Sequence, residues 1–269
     1  MSKLAELIGQ AANPISRAPK RLRETPVTLA PDRRLELEAL LHLRDGFIAL
    51  SGALVVRPSV TVAAVRGIED WNLLTLWRTP YRKATEVLFF AEDRFGRQFG
   101  LYKDEVVGFD PVTGNTEHIA FGLDRWAEYV LGQPDGLGQA TLASWTRAHG
   151  PLSAVQRLQP RVPPGFDSGG SAGAAGVEGT GDETTSDEAA DNEAADVKAA
   201  SGGSVVDEVS GAPVASDTAG DIALGDGAAA WRVVDDVELM RRFARLHAET
   251  REAPGVLPAG FDDWWWNES

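Results

Sequence analysis

The stretch FFAEDRFGRQFGLY, Phe89 to Tyr102, concentrates side chains that could do chemistry: Glu92 beside Asp93, then Arg94 and Arg97, among phenylalanines. Two neighbouring carboxylates invite an acid/base reading, which needs environments that push their pKa values apart. Adjacent residues on a strand point to opposite faces, so this pair would not converge on one substrate. The two arginines would also tend to hold both carboxylates ionised. The residues therefore read as turn charges flanking a hairpin, with Phe89, Phe90, Phe95 and Phe99 divided between core and surface. Asp104, Glu105 and Asp110 could attract a hard cation, but no loop of oxygen ligands accompanies them.

The remaining catalytic vocabulary is sparse. His42, His118, His149 and His247 stand alone, outside any H-x-x-x-H or HExxH spacing. No GxSxG, GxGxxG or P-loop spacing occurs. The absence of cysteine excludes disulfides, thiolate metal sites and a cysteine nucleophile. The expectation is a protein that is not an enzyme and carries no cofactor and no metal.

The net charge of −14 is unevenly spread along the 269 residues. From Gly165 to Ala228 there are 14 acids and one lysine, or −13, which leaves the rest of the chain at −1. A near-neutral remainder lacks the clustered basic face that nucleic acid requires, so no nucleic-acid partner is expected. No apolar run reaches the roughly 18 residues of a membrane span. The N-terminus lacks a secretory h-region, so the expected location is cytoplasmic, with no membrane partner.

Periodicity supplies the elements that position these residues. Residues 1–30 mix a short helical pattern (Leu4, Leu7, Ile8) with three prolines and a basic run, and read as a flexible arm. Asp32 caps an expected helix striped by Leu37, Leu40 and Leu41. Phe47 to Pro58 reads as one or two strands around Gly52, and Ile68 to Tyr81 as a turn or short helix. Glu86–Ala91, Gln98–Tyr102, Glu105–Phe109 and Glu117–Phe121 form an expected antiparallel meander joined by tight turns. Leu123, Trp126, Ala127, Val130 and Leu131 mark an amphipathic helix ended by Gly132. A second helix holds Leu142 and Trp145 and stops at Gly150. The Gly/Ala/Ser/Asp/Glu-rich residues 165–228 cannot bury enough apolar surface to offset chain entropy and read as a disordered acidic insert. Trp231–Val234 then reads as a strand, followed by a helix from Asp235-Asp236 to Pro254. A polar tail, 255–269, carries Trp264, Trp265 and Trp266; either one of them folds back on the core, or they form an anchoring motif.

LFFAEDRFGRQFGLY, VVGFDPVTGNTEHIA and LDRWAEYVL together resemble the core signature of the SUKH superfamily, which includes a yeast cell-wall assembly regulator and many immunity proteins of polymorphic toxin systems. Asp70-Trp71-Asn72 and Gly150–Pro163, with Arg157-Leu158 and Pro160, suit the same pattern. Relatives continue after the proline-rich turn with an aromatic-Gly-Gly segment, whereas PPGFDSGG here leads into the acidic insert. The resemblance implies an α+β fold with a single antiparallel sheet packed by helices, over residues 31–164 and 229–254. It also implies binding rather than catalysis. The expected function is an immunity protein that occludes a cognate toxin; the alternative is a regulatory scaffold recruiting partners through the acidic insert and the tryptophan tail. Expected partner contacts are Glu92, Asp93, Asp104 and Glu105, chosen for charge complementarity to a basic toxin, together with the three tail tryptophans.

Overall fold

Short β-branched and aromatic runs, separated by residues that favour turns, pair with their neighbours in chain order. In the computed structural model, which describes residues 2–23, 27–133, 135–166 and 231–267, six strands follow one another across one antiparallel sheet. These are β1 (Phe47–Ala49), β2 (Leu54–Val56), β3 (Leu88–Asp93), β4 (Gln98–Tyr102), β5 (Glu105–Asp110) and β6 (Asn115–Ala120). The helices are α1 (Lys3–Gly9), α2 (Pro31–Leu43), α3 (Ile68–Trp71), α4 (Leu123–Gly132), α5 (Gln139–His149), α6 (Asp236–Thr250) and α7 (Phe261–Trp265). The architecture is α+β. A second sheet of two antiparallel strands, β7 (Gln156–Pro160) and β8 (Trp231–Asp235), stands beside the expected one.

The period-2 alternation of the strands separates two cores. Phe90, Phe99, Leu101 and Val106 join Leu37, Leu40, Leu54 and Trp126 in the first. Phe89, Val107 and Phe109 join Trp77, Leu239, Phe243 and Trp265 in the second. A shift in register between Phe89 and Ala91 turns Ala91 towards the first core with Phe90. Such a bulge re-aims the side chains that follow it, here Glu92.

Several elements depart from expectation. Residues 2–23 are docked on the fold and do not form a free arm. Leu7 is buried, α1 packs on α4, and Asp124 accepts hydrogen bonds from the Ser2 hydroxyl (2.5 Å) and the Leu4 N–H (2.9 Å). Beyond α1, Ser16 pairs with Asp45, and the Lys20 N–H donates to the Ser59 hydroxyl at 2.9 Å. A short apolar stripe is enough once a second helix covers it. α2 begins at Pro31, one residue before the expected cap, because proline suits the first helical position. Asp32 then sits in the first turn, where the helix dipole favours a carboxylate. Residues 255–267 close with α7, whose tryptophans are buried. The acidic insert lies, from Asp167 on, outside the described residues.

Candidate functional site

Glu92 sits on β3 just past the bulge, directly across from Gln98 of β4. Arg57 follows the last residue of β2, Arg157 lies on β7, and Asp236 opens α6. These segments are far apart in the chain, and their charges meet in the interior: Glu92, Arg57, Arg157 and Asp236 are all at most 2% exposed. Glu92 accepts hydrogen bonds from Arg57, from Arg157 at 2.5 Å and from the Gln98 amide at 3.0 Å. Arg57 also donates to Asp236 at 2.8 Å, and Arg157 stands 3.7 Å from that carboxylate. The Arg57 guanidinium lies 3.3 Å over the centre of the Trp71 ring, and the Trp71 indole N–H donates to the Gln98 carbonyl at 3.0 Å.

The two acids of this lattice are driven in opposite directions. Burial pushes Glu92 up, but the flanking Arg157 and Arg57 outweigh it and hold the carboxyl below its usual range. Burial prevails at Asp236, whose carboxyl is raised despite the attraction of Arg57 and Arg157. Arg157 stays firmly protonated, because Glu92 and Asp236 overcome the cost of burial. A lattice of this kind is strongly destabilised when one partner is removed, since the remaining charge is stranded without water.

Asp93 serves the turn instead. One of its carboxylate oxygens accepts the N–H groups of Phe95 (2.8 Å) and Arg97 (3.0 Å), the local pattern that makes aspartate a turn former. Burial pushes its carboxyl up to about 7 against those two donors. Gly96 completes the turn with φ +100°; a Cβ there would lie 2.8 Å from the Phe243 ring, so the turn and α6 can touch only through glycine. Arg94 reaches back from the turn to the carbonyls of Gly52 (2.6 Å), Ser153 (2.7 Å) and Gln156 (3.0 Å), and burial lowers it to about 9. Phe99 is fully buried, whereas Phe95 is half-buried against the ring of Trp231.

The expectation that Glu92 and Asp93 present an acidic surface is therefore corrected: both are buried, Glu92 at 0% and Asp93 at 4% exposure. The tail tryptophans are corrected in the same way. Trp265 donates its indole N–H to the Pro160 carbonyl at 3.0 Å, and Arg232, Arg242 and Gln159 gather on the Trp265 carbonyl. Trp264 lies beneath Arg245, and Trp266 beneath Arg232 and Arg161. Of the expected contacts, Asp104 remains exposed and Glu105 half-buried. Glu105 pairs with His118, whose ring meets Phe121 at 4.6 Å.

That pair borders the relief that sequence reasoning did not find. His118–Phe121 at the end of β6, with Arg125, Glu128 and Tyr129 of α4, line an open depression of about 500 Å³. Phe121 is 63% exposed at its rim. β6 is also an outer strand of the six-stranded sheet. Arg125 pairs with Glu128 in the lining of the depression, and Arg97, paired with Glu117, donates to the Tyr129 hydroxyl at 3.0 Å. Phe121 was expected as the last residue of a strand, whereas β6 ends at Ala120 and leaves its ring in solvent.

Among the described residues no group of three or more His, Asp or Glu is placed to hold a metal ion, and no helix is long and apolar enough to cross a membrane. No family model, curated protein or solved structure matches the chain.

Proposed function

We propose that this chain is a non-catalytic protein-binding module of the immunity type, which neutralises a cognate toxin in the cytoplasm by occluding it. The observation that carries the reading is the division of labour among its charged and aromatic groups. The carboxylates Glu92, Asp93 and Asp236 are spent on the interior, where they hold strands, a turn and a helix together. At one end of the meander Phe121, His118 and Asp104 are exposed, with the half-buried Glu105 paired to His118. A solvent-facing aromatic rimmed by ion pairs is the composition of an interface anchor.

The step from binding to toxin neutralisation rests on the SUKH-like signature, LFFAEDRFGRQFGLY with DPVTG, whose residues build the hairpin and turn around this division. The scaffold alternative loses its exposed tryptophans, because Trp264, Trp265 and Trp266 lie within the fold. The test is binding to the toxin encoded beside this chain, measured by surface plasmon resonance with Phe121→Asp and Asp104→Lys. Phe121→Asp should weaken binding at least about tenfold with an unchanged melting temperature, the signature of an interface anchor. Asp104→Lys should slow association more than it speeds dissociation. Wild-type affinity in both variants would place the interface elsewhere, and a folded chain that does not bind the toxin would refute the immunity reading.

A further inference from the structure

The piece after the acidic stretch, residues 231–267, is built into the fold by contacts that do not depend on its covalent link. β8 pairs along its whole length with β7, from Gln156↔Asp235 to Pro160↔Trp231. α6 is then fixed at its first turn, where Asp236 meets Arg57 and the Asp236 N–H donates to the Val155 carbonyl at 2.8 Å. Farther along, Arg241 donates to the Leu76 carbonyl at 3.1 Å, and His247 stacks on Tyr81 at 4.8 Å. α7 locks the end: Trp265 donates to the Pro160 carbonyl and accepts from Gln159. Between these fastenings, Leu239, Phe243 and Trp265 share one core with Phe89 and Phe109 of the sheet and with Trp77 of the helical turn Leu74–Arg78.

The second face of the sheet is covered jointly by Trp71, Trp77 and Tyr81 of the body and by Leu239, Phe243 and Trp265 of the closing piece, so the two need each other to complete the burial of their apolar surface. Pro160 also pairs with Trp231, so the closing piece begins beside the chain six residues before the described body ends at Phe166. We propose that residues 231–267 are a clasp, docked by their own contacts alone, and that scission of the chain within 167–230 leaves one folded two-piece protein.

The experiment introduces a specific protease site into the full chain, after Gly173 in one version and after Gly203 in another. The folded protein is cut and passed through gel filtration at low micromolar concentration. The pieces should elute together with the near-ultraviolet circular dichroism of the uncut chain. The unfolding midpoint of the cut protein should rise with protein concentration while that of the uncut chain does not, because closure has become bimolecular. Separate elution of the small piece, or loss of the near-ultraviolet signal on cutting, would overturn the proposal. Failure of both uncut versions to fold would overturn it as well, since closure would then depend on the stretch itself.

Discussion

Replacing Glu92 with glutamine keeps its shape but removes the charge that Arg57 and Arg157 share, leaving both guanidinium groups buried without their central partner. Glu92→Gln should therefore cost about 3–5 kcal/mol in unfolding free energy, the range for breaking a buried ion pair from one side. Urea denaturation checks it, and a cost below about 1 kcal/mol would mean that the lattice is slack. Asp93 makes a separate prediction about pH. Its folded pKa of about 7 lies above its ordinary value of 3.8, so the native state binds the proton more tightly than the unfolded chain. The contribution of Asp93 to stability is therefore present at low pH and is lost as pH rises between about 4 and 7. Asp93→Asn keeps an oxygen acceptor for the Phe95 and Arg97 N–H groups and removes the titration. Its stability should fall less than the wild type between pH 5 and 8, by about 1.4 kcal/mol for each unit of pKa difference. Parallel pH profiles of the two proteins would show that Asp93 is ionised throughout.

Among the elements, α7, a five-residue helix carrying Trp264 and Trp265, closes the second core. Trp265→Ala should destabilise the fold by about 3–5 kcal/mol, the usual cost of truncating a large buried aromatic. A thermal melt reads this as a fall of many degrees; an unchanged melt would return the tryptophans to the role of surface anchor. The meander and α4 were legible in the sequence because alternation and the i, i+3, i+4 spacing report directly which faces are covered. β7 was not, because its buried residues include Arg157 and Gln159, which by composition belong outside. α7 was missed for a related reason: it is too short to show a period and is stabilised by the surface it lands on. The helical pattern of α1 was legible, but its docking was not, because the covering surface of α4 is remote in sequence. The interior place of Glu92 was hidden likewise, since its partners Arg57, Arg157 and Asp236 come from three other segments.

The described residues form a meander sheet between two cores, pinned by paired buried charges and left exposed at one end around Phe121. On the proposed reading its output is a fitted surface, and such a surface is used up one molecule at a time. That property separates occlusion from any enzymatic way of silencing a toxin, because a catalyst turns over. The most direct measurement is a titration of the toxin's activity with this protein at concentrations well above the dissociation constant. The account predicts a linear loss that reaches completion at a fixed stoichiometric ratio and does not progress with time. Complete loss at a small fraction of one equivalent, deepening as the mixture stands, would contradict it, as would full toxin activity at every ratio.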